Sequence, residues 1–397
     1  LQLDESYLAI QGPPGAGKTY AGAHMIVDLV ATGRQVGICG PSHRAIVNLL
    51  DAACAYATSE GVALRALQKA KPGEASRRPE VKAIDDNKML EREWSSGAYQ
   101  LVAGTSWLFA REALAGAVDT LFIDEAGQLS LANVVAIAGA ARNLVLLGDP
   151  QQLAQPSQGT HPPGAEASAL GHLLHGAATI PPTHGLLLDV TWRLHPSICD
   201  FVSDTSYEGL LCAEGSCARQ NLGDGEPVGG SGLRFIEVAH AGNRARSDEE
   251  AQCIAEAVEG LIGRSWTDQR GVIRPLELTD VLSIAPYNAQ VARLTGALPE
   301  GASVGTVDKF QGQEAAVVFF SLTTSSADEL PHGLDFLFSL NRLNVAISRA
   351  RALAVLVGNP ALFQIRCRTP QQMRMLNAFC RFRELATTPD GALVEVG

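Results

Sequence analysis

The octapeptide GPPGAGKT, residues 12–19, has the spacing G-x-x-x-x-G-K-[ST]. It follows the apolar run YLAIQ and opens an amphipathic helical pattern, so the spacing sits in a strand–loop–helix setting. Glycines there let backbone N–H groups curl around phosphate, and the helix N-terminus adds the positive end of its dipole. Gly12, Pro13, Pro14, Gly15, Ala16 and Gly17 would form that wrap, and Lys18, Thr19 and Tyr20 the first turn after it. Lys18 would reach the β- and γ-phosphates of a nucleoside triphosphate, and Thr19 would ligate Mg2+. A second run, LFIDEAGQ (residues 121–128), ends in a carboxylate pair that is costly at a strand end unless it meets cations or water. Beside a phosphate loop, Asp124 would hold Mg2+, and Glu125 would orient and deprotonate the attacking water. A third run, LVLLGDPQQL (residues 144–153), offers Asp149 and Gln152 as sensors of the γ-phosphate. A fourth, NRLNVAISRARALAVLVG (residues 341–358), is apolar but for a few polar groups, among them Arg349 and Arg351, with no acidic residue near in sequence. Buried arginine needs an anion, which here would have to come from elsewhere.

These residues need a scaffold that presents strand ends. Short apolar runs alternate with helical patterns along the whole chain, which implies parallel sheets covered by helices on both faces. The fold class expected is therefore α/β with mostly parallel sheets, whose ligands bind at the carboxyl ends of the strands. With 397 residues, two or three domains fit. Residues 65–93 are polar with little apolar periodicity and read as a small insertion; residues 155–184, rich in proline, read as a linker. Residues 212–232 are glycine-rich and read as a surface loop. The division expected is 1–184, 185–365 and a tail 366–397.

Composition excludes more than it assigns. Apolar residues make up 46 % and charged residues 18 %, enough for sizeable cores. A net charge of −11 rules out a coat of positive charge but leaves room for a local basic groove. The 8 cysteines form no C-x-x-C pair, so reduced thiols and a cytoplasmic location are expected rather than a zinc site or disulfides. No apolar run is long enough to span a membrane. The chain opens on Leu1, and a longer polypeptide is expected.

In their order, these blocks resemble the superfamily 1 helicases of the 1B group, which includes the helicase of nonsense-mediated RNA decay. The resemblance rests on GPPGAGKT, ICGPSHRAI, VAGTS, FIDEAGQ, GDPQQL, TWRLHPSICDFVSDTSYEGLL, IAPYNAQ, VGTVDKFQGQEAAVVFFS and NRLNVAISRA. The block around GDPQQLAQPSQGTHP is similar to bacterial proteins that fuse a RecB-like nuclease to a carboxyl-terminal helicase; the nuclease part would precede Leu1. The resemblance implies two tandem RecA-like P-loop domains of the AAA type, with ATP and Mg2+ held between them. It implies that Arg193 and Arg349 are arginine fingers, that Trp192 stacks on the base, and that Glu314 contacts the ribose or couples the domains. Arg351 matches no such position and reads as surface or packing.

The same resemblance implies a motor that moves on single-stranded nucleic acid, 5′ to 3′. A sliding strand is best held by backbone contacts and stacking. Pro41, Ser42, His43, Thr105, Pro286, Tyr287, Thr306 and Gln311, all at strand-to-helix turns, are the candidates for that track. DNA is the expected strand, in repair or processing beside the fused nuclease. RNA is the first alternative, and a nucleotide-switched clamp that regulates the nuclease without unwinding is the second.

Overall fold

The computed structural model describes residues 3–153, 167–223, 225, 228–310 and 312–386. Two units partition the chain, residues 1–13 with 17–188, and residues 14–16 with 189–397.

The first unit alternates strands and helices: β1 (Tyr7–Gln11), α1 (Lys18–Ala31), β2 (Val36–Cys39), α2 (His43–Glu60), β3 (Ala66–Lys69), β4 (Val81–Ile84), α3 (Asn87–Trp94), β5 (Leu101–Gly104), α4 (Ser106–Phe109), β6 (Val118–Ile123), α5 (Leu131–Ala138), β7 (Ala141–Gly148), α6 (Ala169–Leu174) and β8 (Leu186–Leu187). The strands form one parallel sheet in the order β4-β3-β5-β2-β6-β7-β1-β8. Successive residues on a strand face opposite sides. Ile10, Ile38, Phe122, Val145 and Leu147 pack with Ile26 and Val27 of α1 and Leu49 and Leu50 of α2. Their strand neighbours Ala9, Cys39, Leu121, Ile123 and Leu146 pack on the other side with Leu90 of α3, Val134 of α5 and Leu170 of α6. Both faces are covered, which is why these strands read as continuous apolar runs through their middles instead of alternating. The helices start where local chemistry allows: the Ser42 hydroxyl accepts from the Ala45 N–H at the head of α2, and the Asp86 carboxylate from the Met89 N–H at the head of α3.

Two expectations change here. Residues 65–93 are not an appendage: β3, β4 and the first residues of α3 lie there and extend the sheet at one edge. Both strands are only four residues long; β3 ends in Gln68 and Lys69, and β4, at the edge, exposes Lys82, so their apolar periodicity is hidden. Of the expected linker 155–184, the described part, residues 167–184, contributes side chains to the core. Leu170, Leu174 and Ile180 are buried, and the unit closes after residue 188 rather than 184. Residues 155–166 lie outside the described residues.

The second unit contains β9 (Val190–Thr191), α7 (Pro196–Ser206), β10 (Cys212–Ala213), β11 (Gly232–Glu237), α8 (Asp248–Leu261), β12 (Ser265–Thr267), β13 (Ile273–Pro275), β14 (Val281–Ile284), α9 (Asn288–Ala297), β15 (Ser303–Gly305), β16 (Ala315–Ser321), α10 (Leu334–Leu337), α11 (Leu340–Ile347), β17 (Ala350–Gly358) and α12 (Pro370–Leu385). Its central sheet is parallel, in the order β11-β17-β16-β14-β15. Ile254 and Val258 of α8 and Leu294 of α9 bury against Val317, Phe319, Leu353 and Val355. The expected loop 212–232 carries β10 and a tight helical turn, Gly215–Arg219, with Cys217 and Leu222 buried. The expected tail 366–397 begins with α12, whose Phe379 and Phe382 are fully buried. Phe382 meets Phe201 edge-on at 5.3 Å, and Phe379 meets Phe338 at 4.8 Å. Residues 387–397 lie outside the described residues.

Candidate functional site

In the first unit β6, β7 and β1 are neighbours, so their carboxyl ends stand side by side. That places the loop after β1, Asp124 and Glu125 after β6, and Asp149 after β7 in one row. The Gly12 N–H donates to the Gly148 carbonyl at 2.9 Å, Asp124 N–H to Cys39 at 2.8 Å, and Ala126 N–H to Leu147 at 2.8 Å. Two glycines make the row possible. A Cβ on Gly148 would sit 2.6 Å from the Gly127 nitrogen, and one on Gly127 would sit 2.7 Å from the Asp149 carbonyl oxygen.

The loop itself bends through Gly15 at φ 73° and Gly17 at φ 86°, a left-handed region open to glycine. Pro13, Pro14 and Ala16 are buried along it. Gly17 caps α1 without a side chain, so no side-chain group occupies the first-turn amides, the arrangement an anion can use. Lys18 Nζ donates to the Gly12 carbonyl and lies 3.5 Å from that of Pro13. Thr19 and Tyr20 are exposed, and the Tyr20 ring stacks near His24 at 4.0 Å.

Asp124 is buried, and this burial together with the adjacent Glu125 carboxylate pushes its pKa up to about 7. The Glu125 N–H, 2.9 Å from Asp124 Oδ1, and the Lys18 charge pull the other way. Glu125 holds φ 54°, a strained value for a residue with a side chain. The donor set suits Mg2+, which is commonly bound by one or two carboxylates plus substrate phosphates. Asp124 is a buried carboxylate that a cation would relieve, and Thr19 adds a hydroxyl. Among the described residues no cluster of three His, Cys, Asp or Glu could hold a metal without such help.

At the end of β7, Gln152 Nε2 donates to Asp149 Oδ2 at 3.0 Å, and Gln11 Nε2 lies 3.4 Å from Asp149 Oδ1. Gln11 also donates to the Ala178 carbonyl at 3.0 Å and accepts from the Ile180 N–H at 2.7 Å. Gln11 lies outside the sequence motifs. Its signal was a glutamine closing the strand YLAIQ, where a buried amide must find partners.

In the second unit the two candidate fingers are neighbours. Arg349 is 2 % exposed, with Nη1 donating to the Gln313 carbonyl at 3.3 Å. Arg193 donates through Nε to Glu314 Oε2 at 2.5 Å and through Nη1 to the Ser348 carbonyl at 3.2 Å. Glu314 also lies 4.0 Å from Arg351. Glu314, distant in sequence from both, thus serves Arg193 and Arg351. Arg351 hydrogen-bonds Gln220 at 3.2 Å and stacks over Trp266 at 5.3 Å, a packing role as expected. Trp192 is 57 % exposed, which fits a base-stacking platform and not a core residue.

The expected strand contacts gather in each unit separately. In the first, His43 and Thr105 line a cavity of about 220 Å3 with Lys69, Lys71, Asn87 and Trp107. His43 pairs with Glu74 at 3.6 Å; Ser42 caps α2, and Pro41 precedes it. Trp107, 84 % exposed, was missed, although an aromatic just after a strand end is a stacking signal. In the second unit Pro286, Tyr287 and Thr306 line a cavity of about 460 Å3. Gln311 lies outside the described residues.

Family models match most of the chain. A model described as an AAA domain matches residues 1–162, and another with the same description matches residues 166–361. The chain is 24 % identical to the DNA polymerase alpha-associated DNA helicase A of Schizosaccharomyces pombe, over 88 % of this chain and 60 % of that protein. It is 27 % identical to the regulator of nonsense transcripts 1 homolog of Arabidopsis thaliana, over 90 % of this chain and 32 % of that protein. The chain therefore spans less than two thirds of these relatives' lengths. The arterivirus nonstructural protein 10, a helicase solved with DNA, shares the fold at a TM-score of 0.50 and 15 % identity, over 94 % of this chain and 62 % of that one. The protein is a tandem AAA/RecA-like P-loop nucleoside triphosphatase. Within that class it is related to the superfamily 1 helicases.

Proposed function

We propose that this chain is an ATP-dependent motor on single-stranded nucleic acid. The observation that carries the reading is the row of strand ends, with the phosphate loop, Asp124 with Glu125, and Asp149 with Gln152 on neighbouring strands. Lys18 would leave the loop carbonyls for the β- and γ-phosphates. Thr19 and Asp124 would hold Mg2+, which neutralises charge on the phosphate oxygens. Glu125 would take the proton of the attacking water, and Gln152, tied to Asp149, would sense the γ-phosphate. Arg193 and Arg349 would neutralise transition-state charge, Trp192 would stack on the base, and Glu314 would release Arg193 for this work.

RNA is the track we favour. The two relatives' names divide, one a DNA helicase and the other a regulator of nonsense transcripts, and the second carries this preference. The DNA strand expected from the sequence becomes the alternative. Movement 5′ to 3′, a nuclease part in a longer chain and a bacterial role in DNA repair rest on the sequence resemblance alone. Among the described residues no helix is long and apolar enough to cross a membrane, which bears on membrane spanning and not on location.

The test is ATP hydrolysis alone, with single-stranded RNA and with matched DNA. Glu125→Gln should keep ATP binding and lose about 10²–10⁴ in turnover, and Lys18→Ala should abolish stimulation. Equal turnover in Glu125→Gln and wild type would remove Glu125 as the base. Stimulation by DNA and not RNA would reinstate the first reading.

A further inference from the structure

The cavity of about 460 Å3 in the second unit holds more than the strand-end residues Pro286, Tyr287 and Thr306. His332, Phe336 and Arg342 line it too, from the loop before α10, from α10 and from α11. Tyr287 and Phe336 are nearly parallel, with ring centroids 5.6 Å apart and an interplanar angle of 19°. The His332 ring is 5.0 Å from Phe336, and the Arg342 guanidinium lies 4.4 Å over the Phe336 ring. Tyr287 is buried and forms the floor; His332 is exposed and Phe336 half-buried, so the His332 ring and part of Phe336 are accessible from the cavity, with Arg342 beside them. Arg342 pairs with Asp308 at only 3.4 Å, a contact that a phosphate could displace. Thr306 adds a small hydroxyl at the end of β15, the neighbour of β14 that carries Pro286 and Tyr287.

Rings packed only to fill a core would not leave their edges on a solvent-filled cavity beside a cation. We infer that this cavity seats one unpaired base of the bound strand against Phe336 and His332, with Arg342 on the adjoining phosphate. Every base has a π-face, so such a seat grips a strand without reading its sequence and would serve RNA and DNA alike. The inference rests on the motor reading above and adds a stacking step to it, with His332, Phe336 and Arg342 as new binding residues.

The test is equilibrium binding of a short oligouridylate and its DNA counterpart, with a single abasic site moved along the strand. On the wild-type protein one abasic position should weaken binding about 5- to 100-fold. In Phe336→Leu, which keeps an apolar side chain, and in His332→Ala, which changes an exposed residue, that position should matter far less. Abasic effects within about two-fold everywhere on the wild type would overturn the base seat. So would an abasic effect kept in full by both variants. Those outcomes leave the motor reading intact, whereas failure to bind any strand would overturn both.

Discussion

Asp124 shows how one residue can be poorly placed for stability and well placed for chemistry. Its carboxyl has a pKa of about 7 instead of 3.8, so the fold disfavours the charged form. Below about 3.8 it is neutral folded and unfolded, and there is no penalty. The penalty grows as pH rises and is complete above about 7, provided no cation is present. Asp124→Asn should therefore melt higher than wild type at pH 8 in chelator, and the gap should close as pH falls towards 4. A gap independent of pH would refute burial as its cause. The Glu125 N–H bond can survive in that variant, because an amide oxygen also accepts. Arg349 poses the opposite case, a buried cation whose neighbour Arg193 is already paired with Glu314. Arg349→Ala should lower kcat by about 10³–10⁵ with little change in KM. A higher KM at unchanged kcat would make Arg349 a binding residue.

At the scale of elements, the sites depend on helices and edges far from the chemistry. Helix α12 carries no motif, yet its Phe379 and Phe382 are fully buried against Phe338 and Phe201. Phe382→Ala should cost the second unit about 3–5 kcal/mol, read as a shifted denaturant midpoint at constant slope. A loss below about 1 kcal/mol would mean that α12 is dispensable there. The strands β3 and β4 were the hardest to foresee. Each has four residues, and with Gln68 and Lys69 in β3 and Lys82 in the edge strand β4 they carry too few apolar positions to show a period, whereas β6 and β7 are longer and legible because both of their faces are buried. The segment holding α6 was misjudged because prolines and glycines dominate the count around it. Three buried apolar side chains, Leu170, Leu174 and Ile180, decide its place.

For the whole molecule, the balance of 42 acidic against 31 basic residues means that general attraction cannot hold a polyanion. Under the proposed function, grip on a strand has to be local. The first unit offers Lys69, Lys71 and exposed Trp107 around one cavity, and the second offers Arg342 with three rings around another. Each unit thus brings a cation and an aromatic face to the carboxyl ends of its own parallel strands, the position that open α/β sheets reserve for ligands. An acidic protein that binds this way should rely on stacking more than on counterion release.

The phosphate loop, the carboxylate pair after β6 and the arginine of AISRA were legible because each is a contiguous pattern. A glycine turn, a strand end or a helix end works through its own backbone, and those few residues specify it. Tertiary structure alone decided which of these ends meet. The sheet order β6-β7-β1 is not chain order, and Arg193 finds Glu314 across 121 residues. The cavity of the second unit likewise draws Tyr287, His332, Phe336 and Arg342 from separate segments. Parallel strands are joined by long crossovers, so neighbours in the sheet are distant in the chain, and no local pattern can encode that adjacency.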